Sequence, residues 1–249
     1  MKLSRGTSET ASDTRGEHIY GEVELGALAS YSIFSDYVGR SRFIFMENGA
    51  RLVFDTENPD SGVGHVVTCN VRILDSLETS GVIGRLIKKG AGVLVLKDSR
   101  STYRGGTVIS NGVVSAEASN CLGTGLVSVE NGGTLEIPAG SFLTNAVSLA
   151  AGATFDINVG AGLSPFAGSL AAAQGAMVKV AGRLDEYVTL FGTNIVIASS
   201  CNAATLGNMA FSNNLEKPSG AAVAGARLQV SGGALVLHVP MAGMKISVR

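Results

Sequence analysis

Residues 87–116 read IKKGAGVLVLKDSRSTYRGGTVISNGVVSA. Short β-rich runs flank a polar loop holding a lone tyrosine, and a Gly-Gly pair and an Asn-Gly pair follow. The question is whether this pattern recurs, because a fixed repeat length identifies a coiled architecture before any single motif does. It does recur. Gly92, Gly112, Gly132 and Gly152 are each 20 residues apart, and each opens a strand-like run: GVLVL, GVVSA, GGTLEI and GATFDI. A second apolar-x-apolar run precedes the glycine, as at Val127-Ser128-Val129 and Val147-Ser148-Leu149. The unit is therefore strand, two-residue turn ending in glycine, strand, with a register known to about one residue because the apolar positions slip between the first two and last two copies.

Further copies lie outside the clearest region. FIFMENGARLVF at 43–54 has Asn48-Gly49 at its turn, LQVSGGALVLHV at 228–239 has Gly232-Gly233, and residues 178–197 hold a looser version. Asn-Gly recurs at Asn48-Gly49, Asn111-Gly112 and Asn131-Gly132, where glycine adopts positive φ at little steric cost. Antiparallel sandwiches and parallel solenoids both use alternating strands and tight glycine turns. A constant 20-residue period favours the solenoid, since each coil turn has one path length. Stacking i on i+20 places Asn111 on Asn131, Thr134 on Thr154, Lys97 near Glu117, and Leu135 and Ile137 on Phe155 and Ile157. Such ladders suit rungs roughly 4.8 Å apart. The expected fold is an all-β parallel β-helix of eight to eleven rungs, with residues 1–40 as a polar segment and cap and 41–249 as the solenoid. Irregular loops are expected near 55–66 and 200–220, and the basic MKISVR at the end of the sequence is expected to blunt the last edge. The Ala-rich 168–177 is read either as a helical turn or as small residues at a tight corner.

Composition agrees with this reading. Glycine contributes 33 of 249 residues, about twice the usual share of roughly 7%. Charged residues are 16%, hydrophobic residues 45%, prolines only five, and tryptophan is absent. A net charge of −1 provides no basic field for nucleic acid or anionic membranes. The segment at 1–17, MKLSRGTSETASDTRGE, lacks the apolar core of a signal peptide and is read as a frayed or capping end. Residues 157–178 are uncharged but carry Asn158, Pro165, Gln174 and several glycines, which makes them a poor membrane helix. Cys69, Cys121 and Cys201 are far apart and odd in number, so they are expected to be small apolar fillers rather than a disulfide framework or zinc site.

The opening stretch resembles the autotransporter-associated β-strand repeat, also called the passenger-associated transport repeat. The matching residues are Lys88, Gly90, Gly92, Leu94, Leu96, Thr102-Tyr103, Gly105-Gly106-Thr107, Ile109 and Gly112, and LGTGLVSVENGGTLEI at 122–137 looks like the family's usual continuation. Val93 and Arg104 depart from its pattern, as does the presence of cysteines. The resemblance implies a right-handed β-helix displayed on or released from a bacterial cell. Because no translocator barrel pattern is read in this sequence, a separate translocator is the expected export partner.

Catalytic signatures are scarce. Neither a phosphate-binding GxxxxGK[ST] loop nor a GxSxG elbow is present, and His18, His65 and His238 are not at metal-ligand spacing. The best catalytic candidates are Glu136 and Asp156, each between two apolar residues and so expected to face solvent on adjacent rungs. There their carboxyls would lie within about 5–6 Å, near the spacing of retaining glycosidases. No third acid is expected beside them, since 116 and 176 are alanine. Asp55, Glu57 and Asp60 are the weak candidates for a calcium loop, set against a plain solvated loop. Tyr103 is read as a loop plug, Gly105-Gly106 as a tight corner, and Arg100 and Arg104 as a weak sugar or acidic-partner site. No cofactor is expected. The leading expectation is a non-enzymatic surface or secreted adhesin-like or structural segment, with host or cell-surface macromolecules or glycans as partners. A carbohydrate-active β-helix enzyme is the alternative, and a carbohydrate-binding module is disfavoured by five tyrosines and no tryptophan.

Overall fold

The computed structural model describes residues 16–27, 30–33, 43–76, 83–160 and 167–241. The chain winds through eight successive turns. The first three carry three strands each: β1 (Gly16–Ile19), β2 (Glu22–Gly26) and β3 (Tyr31–Ile33); β4 (Phe43–Met46), β5 (Arg51–Asp55) and β6 (Val66–Cys69); β7 (Arg72–Asp75), β8 (Arg85–Lys89) and β9 (Val93–Leu96). The next four carry two each: β10 (Thr107–Ile109) and β11 (Gly112–Ala116), β12 (Val127–Val129) and β13 (Gly133–Ile137), β14 (Ala146–Leu149) and β15 (Thr154–Asn158), β16 (Ala167–Ala172) and β17 (Ala176–Arg183). A six-residue helix α1 (Glu186–Phe191) leads into the last turn, which has β18 (Thr193–Ser200), the short helix α2 (Ala203–Asn208) and β19 (Met209–Glu216). A hairpin of β20 (Arg227–Ser231) and β21 (Ala234–Val239) follows.

Strands at equivalent places in successive turns pair in parallel, giving long sheets β2-β5-β8-β10-β12-β14-β16-β18 and β3-β6-β9-β11-β13-β15-β17-β19, with β1-β4-β7 on a third side. The fold is all-β, a parallel solenoid as expected. Beyond β7 the third side consists of loops that still bond from turn to turn: Thr102 donates its N–H to the Ile73 carbonyl, and Thr124 donates to that of Tyr103. These loops carry Tyr103, Leu122 and Leu143 into the core.

Alternation of apolar and polar residues decides which face is inside. Leu52, Leu86, Thr107, Val127, Val147 and Leu170 form one inward column across six turns. Val67, Leu94, Val114, Leu135, Phe155 and Val178 form the facing column. All but Leu170, at 4%, are at most 1% exposed. Each apolar side chain in these columns contributes about 1.5–3 kcal/mol on burial. Cys69, Cys121 and Cys201 are free and buried, the filler role expected of them.

The twenty-residue spacing holds from Thr107 to Val127 and from Val127 to Val147. It fails by one between Gly112 and Gly133, because the turn Glu130–Gly132 is one residue longer than Ser110–Asn111. The extra residue falls in the very turn where Asn111 was expected to stack on Asn131. A Cβ on Gly132 would meet the Asn111 side-chain oxygen, and one on Gly152 would meet that of Asn131. Thr134 does lie on Thr154, and Lys97 Nζ pairs with Glu117 at 3.0 Å.

Two further expectations change, and one alternative is decided. FIFMENGARLVF at 43–54 spans the third side and the first long sheet, not the two long sheets that the central copies join. LQVSGGALVLHV is not a parallel rung: β20 and β21 pair antiparallel with each other, and β21 pairs antiparallel with β18. Gly232 and Gly233 both have positive φ, which makes a two-residue reversing turn where the central turns pass the chain on to another sheet. Residues 168–177 form β16, a turn at Gly175 and the start of β17, so their small residues serve a corner and not a helix.

Residues 200–220, expected as a loop or irregular rung, hold α2 and β19, and residues 16–27 and 30–33 supply the strands of the first turn. The segments 1–15 and 244–249, to which capping roles were assigned, lie outside the described residues. No helix among the described residues is long and apolar enough to cross a membrane.

Candidate functional site

The stretch from Leu86 to Ala116 places two polar residues on the inward face. Lys88 stands in the column between Phe54 and Ile109, and Thr107 stands between Leu86 and Val127. Each is satisfied inside the repeat. Lys88 is fully buried, and its Nζ donates to the carbonyls of Lys89 at 3.0 Å, Gly90 at 2.7 Å and Asn111 at 2.8 Å. One ammonium thus ties the turn that ends β8 to the turn that ends β10 on the following rung. Burial lowers the Lys88 pKa from 10.5 to about 8, against the opposing pull of Asp55 and then Glu57. Thr107 shares a 2.7 Å hydroxyl bond with Tyr103, whose ring is fully buried. Burial pushes the Tyr103 phenol far above its ordinary range. The ring, read from the sequence as a loop plug, lies in the core itself.

The repeat's glycines all press against a neighbouring turn, and some of them also need a backbone that other residues resist. Gly90, Gly106 and Gly112 have φ of 78°, 81° and 68°, a region that only glycine occupies freely. Gly92, read in sequence as the first of the turn glycines, is not among them. It is needed because a Cβ there would strike the backbone of His65 and Thr56 in the neighbouring loop. Gly105, also without positive φ, is pressed against the Gly84 carbonyl.

Asp75 carries no motif signal and was missed. Its buried carboxylate accepts from the backbone N–H of Gly84 at 2.9 Å, from that of Arg104 at 3.0 Å and from Arg104 Nε at 2.9 Å. Arg104 therefore holds a corner. Arg100 lies at 2.9 Å from Asp98. Lys88 carried a signal that went unused: it shares the inward phase of Leu86 on an alternating strand.

Glu136 and Asp156 are register partners on the outer face of the second long sheet, both half-buried. Their other neighbours are Ser115 and Lys179, not the alanines at 116 and 176 that a strict twenty-residue step gives. The rung from β15 to β17 is 23 residues long, which brings Lys179 beside Asp156. Burial raises the Asp156 pKa, and Lys179 acts in the lowering direction.

Asp55, Glu57 and Asp60 do not converge. Asp55 accepts from the Glu57 N–H and lies 3.3 Å from Lys89 Nζ, while Glu57 accepts from the Ala91 N–H at 2.9 Å. The Asp60 N–H is bonded to the Asn58 side chain. Among the described residues no group of three or more His, Cys, Asp and Glu gathers to hold a metal ion.

Comparison with known proteins follows the same residues. The Passenger-associated-transport-repeat family matches residues 86–116. The chain is also similar to the adhesin BmaC autotransporter of Brucella suis biovar 1 (strain 1330), with 38% identity over 79 residues. That alignment covers 32% of this chain and 2% of the adhesin, so the chain spans a small fraction of that relative's length. No solved structure matches it significantly. Residues 86–116 of this parallel β-solenoid thus match a passenger-associated transport repeat whose lysine, tyrosine and glycines are held as described above, and the likeness to an autotransporter adhesin extends over a short stretch.

Proposed function

We propose that this chain is a non-enzymatic segment of a bacterial surface or secreted protein, which serves as a rigid adhesive or structural face. One observation carries the reading: the polar side chains that the repeat fixes most tightly, Lys88, Tyr103 and Thr107, are turned inward and consumed by bonds between neighbouring turns. They hold rungs together and present nothing to a substrate. What faces outward is a set of ladders of mixed short and charged side chains, Ser128 over Ser148 on one long sheet and Glu136, Asp156 and Lys179 on the other, suited to many weak contacts with host or cell-surface macromolecules or glycans. The similarity to an autotransporter adhesin supports this reading over a short stretch. A net charge of −1 disfavours nucleic acid as the partner.

The test is adhesion of beads coated with the purified chain to cultured cells and to immobilised extracellular-matrix glycoproteins. Saturable bead retention, unchanged in a Glu136→Gln, Asp156→Asn double variant, is the expected result. Polysaccharide turnover by the chain that disappears in the double variant would replace this reading with the carbohydrate-active one.

A further inference from the structure

The Asn-Gly turns hold reactive chemistry that adhesion does not use. In an Asn-Gly pair the glycine nitrogen, once deprotonated, attacks the asparagine side-chain carbonyl carbon, unhindered by any glycine side chain. Whether a folded chain permits this depends on what holds that nitrogen and that amide. At Asn131 the nitrogen is held away, since Gly132 donates its N–H across to the Gly152 carbonyl of the next turn at 3.3 Å. At Asn111 the arrangement is reversed. The Gly112 N–H points at the Asn111 side chain and donates to its Oδ1 at 2.8 Å, so nucleophile and electrophilic amide are in contact. The carbonyl of the same peptide unit, Asn111 C=O, accepts from Lys88 Nζ at 2.8 Å. An ammonium on that oxygen withdraws electron density from the Asn111–Gly112 peptide. It stabilises the negative charge that appears when Gly112 loses its proton. Asn111 is itself exposed, so water reaches the product.

We propose that Asn111-Gly112 is a self-modification site, at which Asn111 converts through a cyclic imide to aspartate and isoaspartate with Lys88 as the activating group. The Gly112 proton passes to a solvent base, and the nitrogen lone pair forms a bond to Asn111 Cγ. The Cγ–Nδ2 bond then breaks, and ammonia leaves with a proton taken from water. A second water opens the imide. Attack at Cγ restores the normal backbone with an aspartate, and attack at the main-chain carbonyl leaves the chain running through the former side chain as isoaspartate. No oxidant, metal or enzyme is required.

The experiment is prolonged incubation of the whole folded chain in neutral buffer. Peptide mapping by mass spectrometry and enzymatic methylation of isoaspartate then report each site, with the same chain unfolded in urea as reference. In the folded chain Asn111 is expected to convert at least about tenfold faster than Asn131, roughly the lower end of what one charge-assisted hydrogen bond acting on the barrier gives. In urea the two rates should be nearly equal. Lys88→Gln, which keeps a donor and removes the charge, is expected to slow Asn111 alone. If that variant does not fold, the folded-to-unfolded comparison on the natural chain decides. Conversion of Asn131 while Asn111 stays intact, or an equal ratio in both states, would overturn the proposal. So would ammonia loss that leaves a covalent Lys88–Asn111 link in place of an acid.

Discussion

An ammonium group with no solvent exposure is retained in an apolar column here because three carbonyl oxygens face it. Replacing it with methionine fills the column but leaves those acceptors without their donor. Lys88→Met is therefore expected to cost about 2–4 kcal/mol by urea denaturation. The same residue sets an alkaline signature. It titrates at about 8 in the folded chain against an ordinary 10.5, so between those values the unfolded chain holds more protons than the folded one. The Lys88 contribution to stability accordingly rises with pH across that window, by at most about 3 kcal/mol. Buried Cys69 and Cys121, raised to about 11 and about 12, act in the opposite direction, because they ionise first in the unfolded chain. The stability difference between wild type and Lys88→Met isolates the lysine and should grow from pH 8 to 10.5; a flat difference would show that the lysine is not desolvated. At Tyr103, substitution by phenylalanine removes the bond to Thr107 while keeping the ring. The expected loss is about 1 kcal/mol, measured in the same assay.

Turns and strands show how far a periodic sequence can be read. The central rungs were legible because Val, Leu and Ile alternate on a fixed step, and the glycines at 112, 132 and 152 mark the turns. Gly92 was on the step but lacks their positive φ and is needed for close approach alone, which no local pattern distinguishes, since the backbone it touches is 27 residues earlier at His65. Two alanine substitutions separate close approach from positive φ. Gly92→Ala forces a methyl into neighbouring backbone and is expected to cost about 3 kcal/mol. Gly140→Ala meets nothing but must hold φ near 88°, and should cost about 1 kcal/mol. Thermal unfolding of both against wild type measures the difference, and equal losses would contradict the assignment. Asp75 was unreadable for a related reason, because its partner Arg104 is 29 residues away across two turns. The hairpin at 228–239 was misread because one Gly-Gly pair suits both a passing turn and a reversing one; only two consecutive positive φ values decide it.

A solenoid leaves an open strand edge at each end unless something covers it. Here β21 lies antiparallel on β18, with the short β20 beyond it as the last strand, so the hairpin covers β18 and packs Leu235 and Leu237 into the core. Deleting residues 225–241 would uncover β18 and the apolar interior beneath it. The shortened chain is expected to aggregate, visible as a shift to high mass in size-exclusion chromatography with light scattering, whereas an unchanged monomer peak would argue that the hairpin is dispensable. At this scale the sequence made the sheets legible through their period, but not the loop-built third side, whose residues follow no alternation. The Glu136–Asp156 pair was legible as neighbours, and its lysine was not, because a rung of 23 residues breaks the step. Display outside the cell, as proposed above, can be read from protease treatment of intact producing cells, with an antibody raised against residues 16–241. Antibody binding to whole cells is expected to be lost on treatment while cytoplasmic controls survive; full protection of the chain until the cells are lysed would overturn the proposed display.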